Sequence, residues 1–299
     1  MSTIILIIAA VLFVLAVVAV GVFILGKTVA TPKKQENETS FETRSGESRF
    51  SLALPSGFAL SCVFIPRSET VQGPHKAVIL CHGFNQTKND MYKYADLFHR
   101  ADFDALIFDQ RYYGESGGNF SSSGYFEKDD ILALTKKVRE LCGPETTVGL
   151  FGVSFGAVAA ILASYEEQFD FVIADTPFSD LHRLLKEHMK SDYRIKAFPM
   201  LHLTELYLRI RYKIKVRTVS PIKLYKNKKK PNPTPIFIIH GDEDEMISPQ
   251  MSVDLYNTKT GGYKKFYLAS EAGFTDAYHK NPDEYESKIY QFLDRVYKK

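Results

Sequence analysis

The chain has 299 residues, of which 45% are hydrophobic and 24% are charged, and its formal net charge is +3. This composition is that of a globular protein and argues against intrinsic disorder. So weak a positive charge does not predict nucleic-acid binding. The three cysteines, Cys62, Cys81 and Cys142, are too few and too uneven in number for a disulfide framework. None of them forms a zinc-spaced cluster with another ligand, so we expect no metal site.

An apolar segment occupies the N-terminus. Residues 4–25 carry no charge, and about 20 such residues are enough to cross the roughly 30 Å hydrocarbon core of a bilayer. We therefore predict a transmembrane anchor over residues 1–26 of a single-pass protein of the cell membrane. A cleaved signal peptide is the alternative, because Thr28-Val29-Ala30 has the small residues of a cleavage site. The apolar run is longer than a signal peptide needs, however, and no basic residue precedes it.

Lysines follow this segment and none precedes it. Lys27, Lys33 and Lys34 favour a cytoplasmic position for the rest of the chain. Residues 27–45 are polar and nearly free of aliphatic side chains, which predicts a tether between the membrane and a folded domain at 46–299.

Short β-rich runs alternate with helical runs from residue 46 onward. An antiparallel pair is predicted within residues 50–66, turned at Pro55-Ser56-Gly57. Further strands are predicted at 76–81, 105–109, 147–151, 169–174, 235–239 and 265–268. Helices are predicted at 89–100, at 127–141, from Phe155, and from Pro282 with Asn281 as its cap. Such alternation predicts the α/β class, with a mostly parallel sheet flanked by helices.

One long insertion interrupts this alternation. Residues 178–233 carry helical patterns and end in a run of lysines. Insertions of this length between two strands are usually functional, and we interpret this one as a helical cap over the strand ends.

The strongest chemical signal is the pentapeptide Gly152-Val153-Ser154-Phe155-Gly156, between a predicted strand and a predicted helix. This G-x-S-x-G pattern predicts a tight turn that presents Ser154 at the edge of the sheet, with glycines where side chains would collide. A glycine-rich turn with an incidental serine is the structural alternative, and the strand–turn–helix context argues against it.

A serine nucleophile needs a base. His279 follows the last predicted strand, which places it over the same sheet edge, and we predict it as the base. The histidines of the insertion, His182, His188 and His202, are expected to be surface or packing residues.

The acid that orients the base should follow the preceding strand. Asp244 is predicted from the segment 240–247, with Asp242 as the second choice and Asp175 as a third. Backbone amides of Phe84 and Phe155 are predicted to hold the oxyanion, because Gly83 and the serine turn aim them at the same point. His82 is expected to brace this loop.

These segments together resemble the α/β-hydrolase fold family from residue 50 to the C-terminus. The run 108–118 (FDQRYYGESGG) is similar to the family's D-x-R-x-x-G-x-S segment, although Tyr112 stands where the family usually has glycine. Further segments, including Ile173-Ala174-Asp175-Thr176-Pro177-Phe178, look like those of bacterial membrane-tethered hydrolases, a largely uncharacterised group. The chain lacks the HGGG extension of hormone-sensitive-lipase-like esterases.

The resemblance implies a serine hydrolase that works by acyl transfer without a metal or an organic cofactor. Carboxylic esters are the first expectation, with lipid-derived acyl groups favoured by the anchor and the cap. Peptidase, amidase and thioesterase activities use the same triad and remain alternatives. An alternative of another class is a catalytically idle hydrolase fold that binds at the membrane.

Overall fold

The structure is a computed structural model that describes residues 2–34, 46–191, 194 and 196–298. A single sheet of eight strands forms its centre. The strands are β1 (Ser48–Ala53), β2 (Ala59–Ile65), β3 (Lys76–Cys81), β4 (Asp104–Phe108), β5 (Thr147–Val153), β6 (Phe171–Asp175), β7 (Ile236–Gly241) and β8 (Lys264–Ala269). Their order is β1-β2-β4-β3-β5-β6-β7-β8. Strand β2 pairs antiparallel with both of its neighbours, β1 and β4, and all the other neighbouring strands pair parallel.

Helices cover both faces of this sheet. The α-helices of the described residues, including those of the N-terminus and of the insertion, are α1 (Ser2–Ala30), α2 (Tyr92–His99), α3 (Glu127–Cys142), α4 (Phe155–Ala163), α5 (Leu181–Ser191), α6 (Ala197–Tyr212), α7 (Pro221–Lys226), α8 (Pro249–Thr258), α9 (Ala277–Lys280) and α10 (Pro282–Tyr297). The side chains of β3 show how the two cores form. Ile79 packs on the side of α3 and α4, whereas Val78 and Leu80 pack on the side of α2 and α10, because successive side chains of a strand point to opposite faces. The predicted α/β architecture is confirmed.

Two local predictions show how sequence signals map onto helix starts. The last helix begins at Pro282, and the Asn281 side chain accepts a hydrogen bond from the Glu284 amide at 3.1 Å, as a helix cap does. The helix predicted at 89–100 is instead divided. A 3₁₀ turn at Lys88–Met91, capped by Thr87, precedes α2.

The N-terminal helix is longer than the predicted anchor. It continues to Ala30, so the first four residues assigned to the polar tether form its last turn. Residues 35–45 of the predicted tether lie outside the described residues. The helix is long and apolar enough to cross a membrane.

The predicted insertion at 178–233 contains α5, α6 and α7, which lie between β6 and β7 in the chain. Side chains of α5 and α6, such as Leu181 and Leu208, join a third apolar cluster with Phe155 at the start of α4 and with Ala30 at the end of α1. The cap and the end of α1 therefore meet above the carboxyl ends of the strands, where Ser154 lies.

Candidate active site

Ser154 occupies a strained turn between β5 and α4. Its backbone angles are φ 52° and ψ −121°, a region that residues other than glycine rarely adopt. A Cβ atom on Gly152 would lie 2.5 Å from the Ala157 amide nitrogen, and one on Gly156 would lie 2.4 Å from the Cys81 carbonyl oxygen. Neither flanking position can hold a side chain without moving backbone, so the two glycines of the pentapeptide are required by packing.

The serine faces an apolar cavity of about 280 Å³. Its walls come from the end of α1, from α5 and α6 of the cap, and from the loops that follow the strands. The lining side chains include Leu25, Val29, Leu184, Leu185, Leu201 and Phe274. No carboxylate stands among its described lining residues, and the polar members are Thr28, Ser123, Ser154, His188 and Thr204. The cavity suits an uncharged, largely hydrocarbon ligand.

The loop after β3 lies directly beside the serine. A Cβ atom on Gly83 would approach the Ser154 Cβ to 3.2 Å, and the Gly83 amide donates to the Gln86 Oε1 at 2.7 Å. Within the described part of the chain, the amides of Phe84 and Phe155 donate no hydrogen bond. The two N–H groups predicted to bind the oxyanion are therefore available to donate a hydrogen bond to a ligand, and their role in catalysis stays a prediction.

His82 has a structural position. Its ring is buried, and Nε2 accepts a hydrogen bond from the Gln110 amide at 2.9 Å. The proton must then sit on Nδ1, which lies 2.9 Å from the Gly83 carbonyl oxygen. Burial lowers the pKa of His82, so the ring stays neutral and holds the Gly83 loop in place.

The Asp244 carboxylate is buried and only half satisfied. Oδ1 accepts the amides of Met246 and Ile247, both at 2.8 Å. Oδ2 lies 3.2 Å from Nε2 of His240, but that nitrogen is 2.8 Å from the Ile247 carbonyl oxygen and points its hydrogen there. Oδ2 thus accepts no hydrogen bond from the described residues. A buried carboxylate oxygen without a donor is costly and is suited to accept an N–H group.

The two reserve acids have different surroundings. Asp242 is exposed. Asp175 is fully buried, but its Oδ2 accepts the Tyr285 hydroxyl at 2.7 Å and its Oδ1 accepts the Thr176 hydroxyl at 3.0 Å. Burial raises the pKa of Asp175 in spite of these bonds. Its oxygens are already used within the fold, which leaves Asp244 as the carboxylate with a free acceptor.

The structure does not bring His279 to Ser154 or Asp244. The His279 ring is exposed on α9, and its Nε2 lies 2.8 Å from the Nζ of Lys93. It is absent from the described lining of the Ser154 cavity. Its role as the base stays a prediction, and that role requires the His279 ring to leave its contact with Lys93.

Another residue of the same segment reaches the cavity. Phe274 lines it together with Ser154, as does His188 of α5, the single histidine among the described lining residues. The Nε2 of His188 lies 2.7 Å from the Met246 carbonyl oxygen. The sequence predicted that the loop after β8 supplies His279 to the site, whereas the side chain of this loop that lines the cavity is Phe274. His188 was expected at the surface or in packing, and it lines the cavity because the placement of the cap decides which side chains face Ser154.

The D-x-R loop joins the site to the end of α1. Arg111 makes a bidentate pair with Asp130, with Nε to Oδ2 at 2.7 Å and Nη2 to Oδ1 at 2.6 Å. Tyr112 has φ 77°, which explains the usual glycine at this position. Its hydroxyl donates to the Pro32 carbonyl at 2.6 Å, so this departure from the family pattern holds the chain that follows α1.

A group with metal-ligand geometry lies at the other edge of the sheet. Ligand atoms of His75, Asp104 and Cys142 all lie within 4.8 Å of one another. The Nδ1 of His75 is 2.6 Å from the Asp104 Oδ2, and the Arg67 amide donates to Oδ1 at 2.9 Å. Asp104 begins β4, whereas Ser154 follows the carboxyl end of β5. This group therefore takes no part in the Ser154 site.

Comparison with known proteins identifies the family. Residues 72–232, just over half of the chain, match the family described as serine aminopeptidase, S33. The chain belongs to this family. The predicted resemblance to α/β hydrolases is thereby confirmed. The matched segment contains Gly83 and the Ser154 turn but ends before Asp244 and His279.

Similarities to individual proteins are consistent with this family assignment. The uncharacterized protein YqkD of Bacillus subtilis is 29% identical over 301 residues, covering 94% of both chains. The Pyrococcus furiosus esterase Pf2001 superposes with a TM-score of 0.67 at 18% identity, covering 87% of this chain and 98% of its own. XC6422 of Xanthomonas campestris, an α/β serine hydrolase without a lid, gives a TM-score of 0.58 at 18% identity, covering 86% of this chain and 97% of its own. These structures establish the shared fold.

Proposed function

We propose that this family member is a serine hydrolase that cleaves carboxylic esters with Ser154 as its nucleophile. The observation that carries the proposal is the strained Ser154 turn facing the apolar cavity of about 280 Å³. Strain of this kind is maintained in folds where it places a reactive group. The start of α4 also places the Phe155 amide and the positive end of the helix beside the serine, which favours developing negative charge.

The reaction is acyl transfer to water. The Ser154 hydroxyl oxygen attacks the ester carbonyl while a base takes its proton, and the amides of Phe84 and Phe155 hold the oxyanion. Collapse of the tetrahedral intermediate expels the alcohol, which receives the proton from the base. A water molecule, deprotonated by the same base, then releases the acid from the serine.

The base is assigned to His279, with Asp244 as the acid that orients it. The free acceptor at the Asp244 Oδ2 supports this pairing, because an incoming imidazole N–H would satisfy it. The pairing requires His279 to leave its contact with Lys93.

The residues that line the cavity favour one of two substrate classes, an ester or the peptide that an aminopeptidase cleaves. A peptide with a free N-terminus carries an ammonium group, whose burial requires a carboxylate partner. No carboxylate stands among the described lining residues. An uncharged ester with a hydrocarbon acyl group needs no such partner, so the ester is favoured over the peptide.

A fluorophosphonate probe tests the proposal on the full chain. We expect covalent labelling of the wild type and none of Ser154→Ala. Ser287→Ala, which changes an exposed serine on α10, should be labelled like the wild type. Labelling that persists in Ser154→Ala would refute the assignment of the nucleophile.

A second candidate function is a hydrolase fold that binds an apolar ligand without cleaving it. Phe274 favours it, because this side chain lines the cavity while His279 of the same segment lies outside. In that case the wild type would resist the probe. Phe274→His would then accelerate labelling by about 10²-fold or more, since it supplies an imidazole to the cavity from the same loop. Rapid labelling of the wild type that Phe274→His does not increase would exclude this second function.

A further inference from the structure

The end of α1 is fastened to the hydrolase domain. The Ala30 carbonyl accepts the Ser121 amide at 2.8 Å, and the Tyr112 hydroxyl reaches the Pro32 carbonyl at 2.6 Å. Ala30 is fully buried in the apolar cluster that also contains Phe155. The C-terminal end of helix α1 therefore contacts the domain directly, and these contacts fix the direction of the helix relative to Ser154.

The cap packs closely along the same helix. A Cβ atom on Gly26 would lie 2.4 Å from the Cδ1 of Tyr207, and the rings of Phe23 and Tyr207 are 6.2 Å apart. Small residues allow two helices to approach in this way. The contact with α6 thus continues the cap along the last third of α1.

This part of α1 is a wall of the Ser154 cavity. Leu25, Thr28 and Val29 line it from one side, and Leu184 and Leu185 of α5 line it as well. A side chain of the apolar N-terminal helix and the nucleophile therefore share one cavity.

The length of α1 places this wall at the surface of a bilayer. Its 29 residues extend about 43 Å at roughly 1.5 Å per residue. A hydrocarbon core of about 30 Å uses only about 20 of them. If the core begins near Thr3, Leu25 and Val29 lie at the level of the lipid headgroups.

The exposed face of α6 has the side chains that are expected at the level of the lipid headgroups. Phe198, Leu206 and Ile210 are 77%, 50% and 64% exposed, and Arg209 and Arg211 stand in the last turn of the helix. Exposed apolar side chains combined with basic ones are typical of helices that lie in the membrane interface. Because α6 packs on α1, these side chains continue an apolar surface that is itself exposed.

We propose that the Ser154 cavity receives the hydrocarbon chain of a membrane lipid ester, which enters from the bilayer beside α1. This inference rests on the proposed function for the site, and it adds the substrate class and the entry route. The helix is then both the anchor and a wall of the binding site.

Photocrosslinking in a bilayer tests the entry of a lipid chain. The full chain is reconstituted in vesicles of phosphatidylcholine and phosphatidylglycerol that contain phosphatidylcholine with a diazirine on one acyl chain. We expect crosslinks to Leu184, Leu185 and Phe274, which line the cavity outside α1. Val29→Trp, which narrows the cavity, should lower these crosslinks about tenfold. Ile24→Trp is the control, because Ile24 is an exposed residue of the same helix.

The outcomes separate this inference from the proposed function. Crosslinks confined to the exposed part of α1, or equal in Val29→Trp and the wild type, would overturn it. Leu184→Trp narrows the opposite wall and replaces Val29→Trp if that variant does not fold. The same crosslinks should persist in Ser154→Ala. If the wild type crosslinks inside the cavity but is not labelled by the fluorophosphonate, the lipid site is supported and only the proposed hydrolase function is refuted.

Discussion

Because the backbone of Ser154 is strained, we expect the glycine variant at this position to be more stable than the alanine variant, which is the reverse of the usual order. At φ 52° and ψ −121°, a residue with a Cβ costs about 1–3 kcal/mol, and glycine removes this cost. Glycine also loses about 0.5–1 kcal/mol more than alanine through backbone entropy. The difference leaves Ser154→Gly more stable than Ser154→Ala by about 1 kcal/mol. For a chain of this size, that corresponds to a Tm higher by about 2–4 °C.

Ser164 provides the matched control. It follows the other end of α4 with φ −66°, so no strain is relieved there. Ser164→Gly should therefore be less stable than Ser164→Ala by about 0.5–1 kcal/mol. Thermal unfolding of the full-length variants is followed by circular dichroism in one detergent at one scan rate. A Tm of Ser154→Gly at or below that of Ser154→Ala would refute the argument that the turn stores strain.

Three further outcomes are expected. His279→Ala should slow fluorophosphonate labelling by about 10²–10⁴-fold, whereas His188→Ala should be labelled at the wild-type rate. Slow labelling of His188→Ala with unchanged labelling of His279→Ala would instead make His188 the base. Gly152→Ala should lower the free energy of unfolding by about 1–3 kcal/mol, whereas Gly273→Ala, whose added Cβ meets nothing within 4 Å, should not lower it. Burial lowers the pKa of Lys259 to about 8, so stability should rise with pH between about 8 and 10.4, where the unfolded chain binds more protons. Lys259→Gln should remove this rise in Tm.

Local sequence patterns were enough for the fold and for the turn that holds Ser154. Lys76–Cys81 forms the predicted strand without adjustment, and Asn281 caps the last helix as expected. The Ser154 turn was equally readable. A strand, a helix and two glycines fix its geometry within five residues, and the spacing of the backbone forbids side chains at both glycines.

The partners of Ser154 depend on contacts between distant segments. The position after the last predicted strand favoured His279, but the path of the loop after β8 decides that Phe274 lines the cavity. Whether Asp244 has a free acceptor depends on where His240 directs its hydrogen bond. Neither direction follows from residue type, because a loop side chain turns inward or outward according to the surfaces packed against it.

The relation between the apolar helix and the site was also decided by tertiary structure. The sequence determined that residues 4–25 can span a bilayer, and it suggested a polar tether after them. Packing against Tyr112, Ser121 and Tyr207 instead continues the helix to Ala30 and places Val29 in the wall of the cavity. Polarity along the chain predicts where water or lipid is preferred. The burial of a carbonyl such as that of Ala30 depends on a donor more than 90 residues away in the chain, which only the folded structure brings to it.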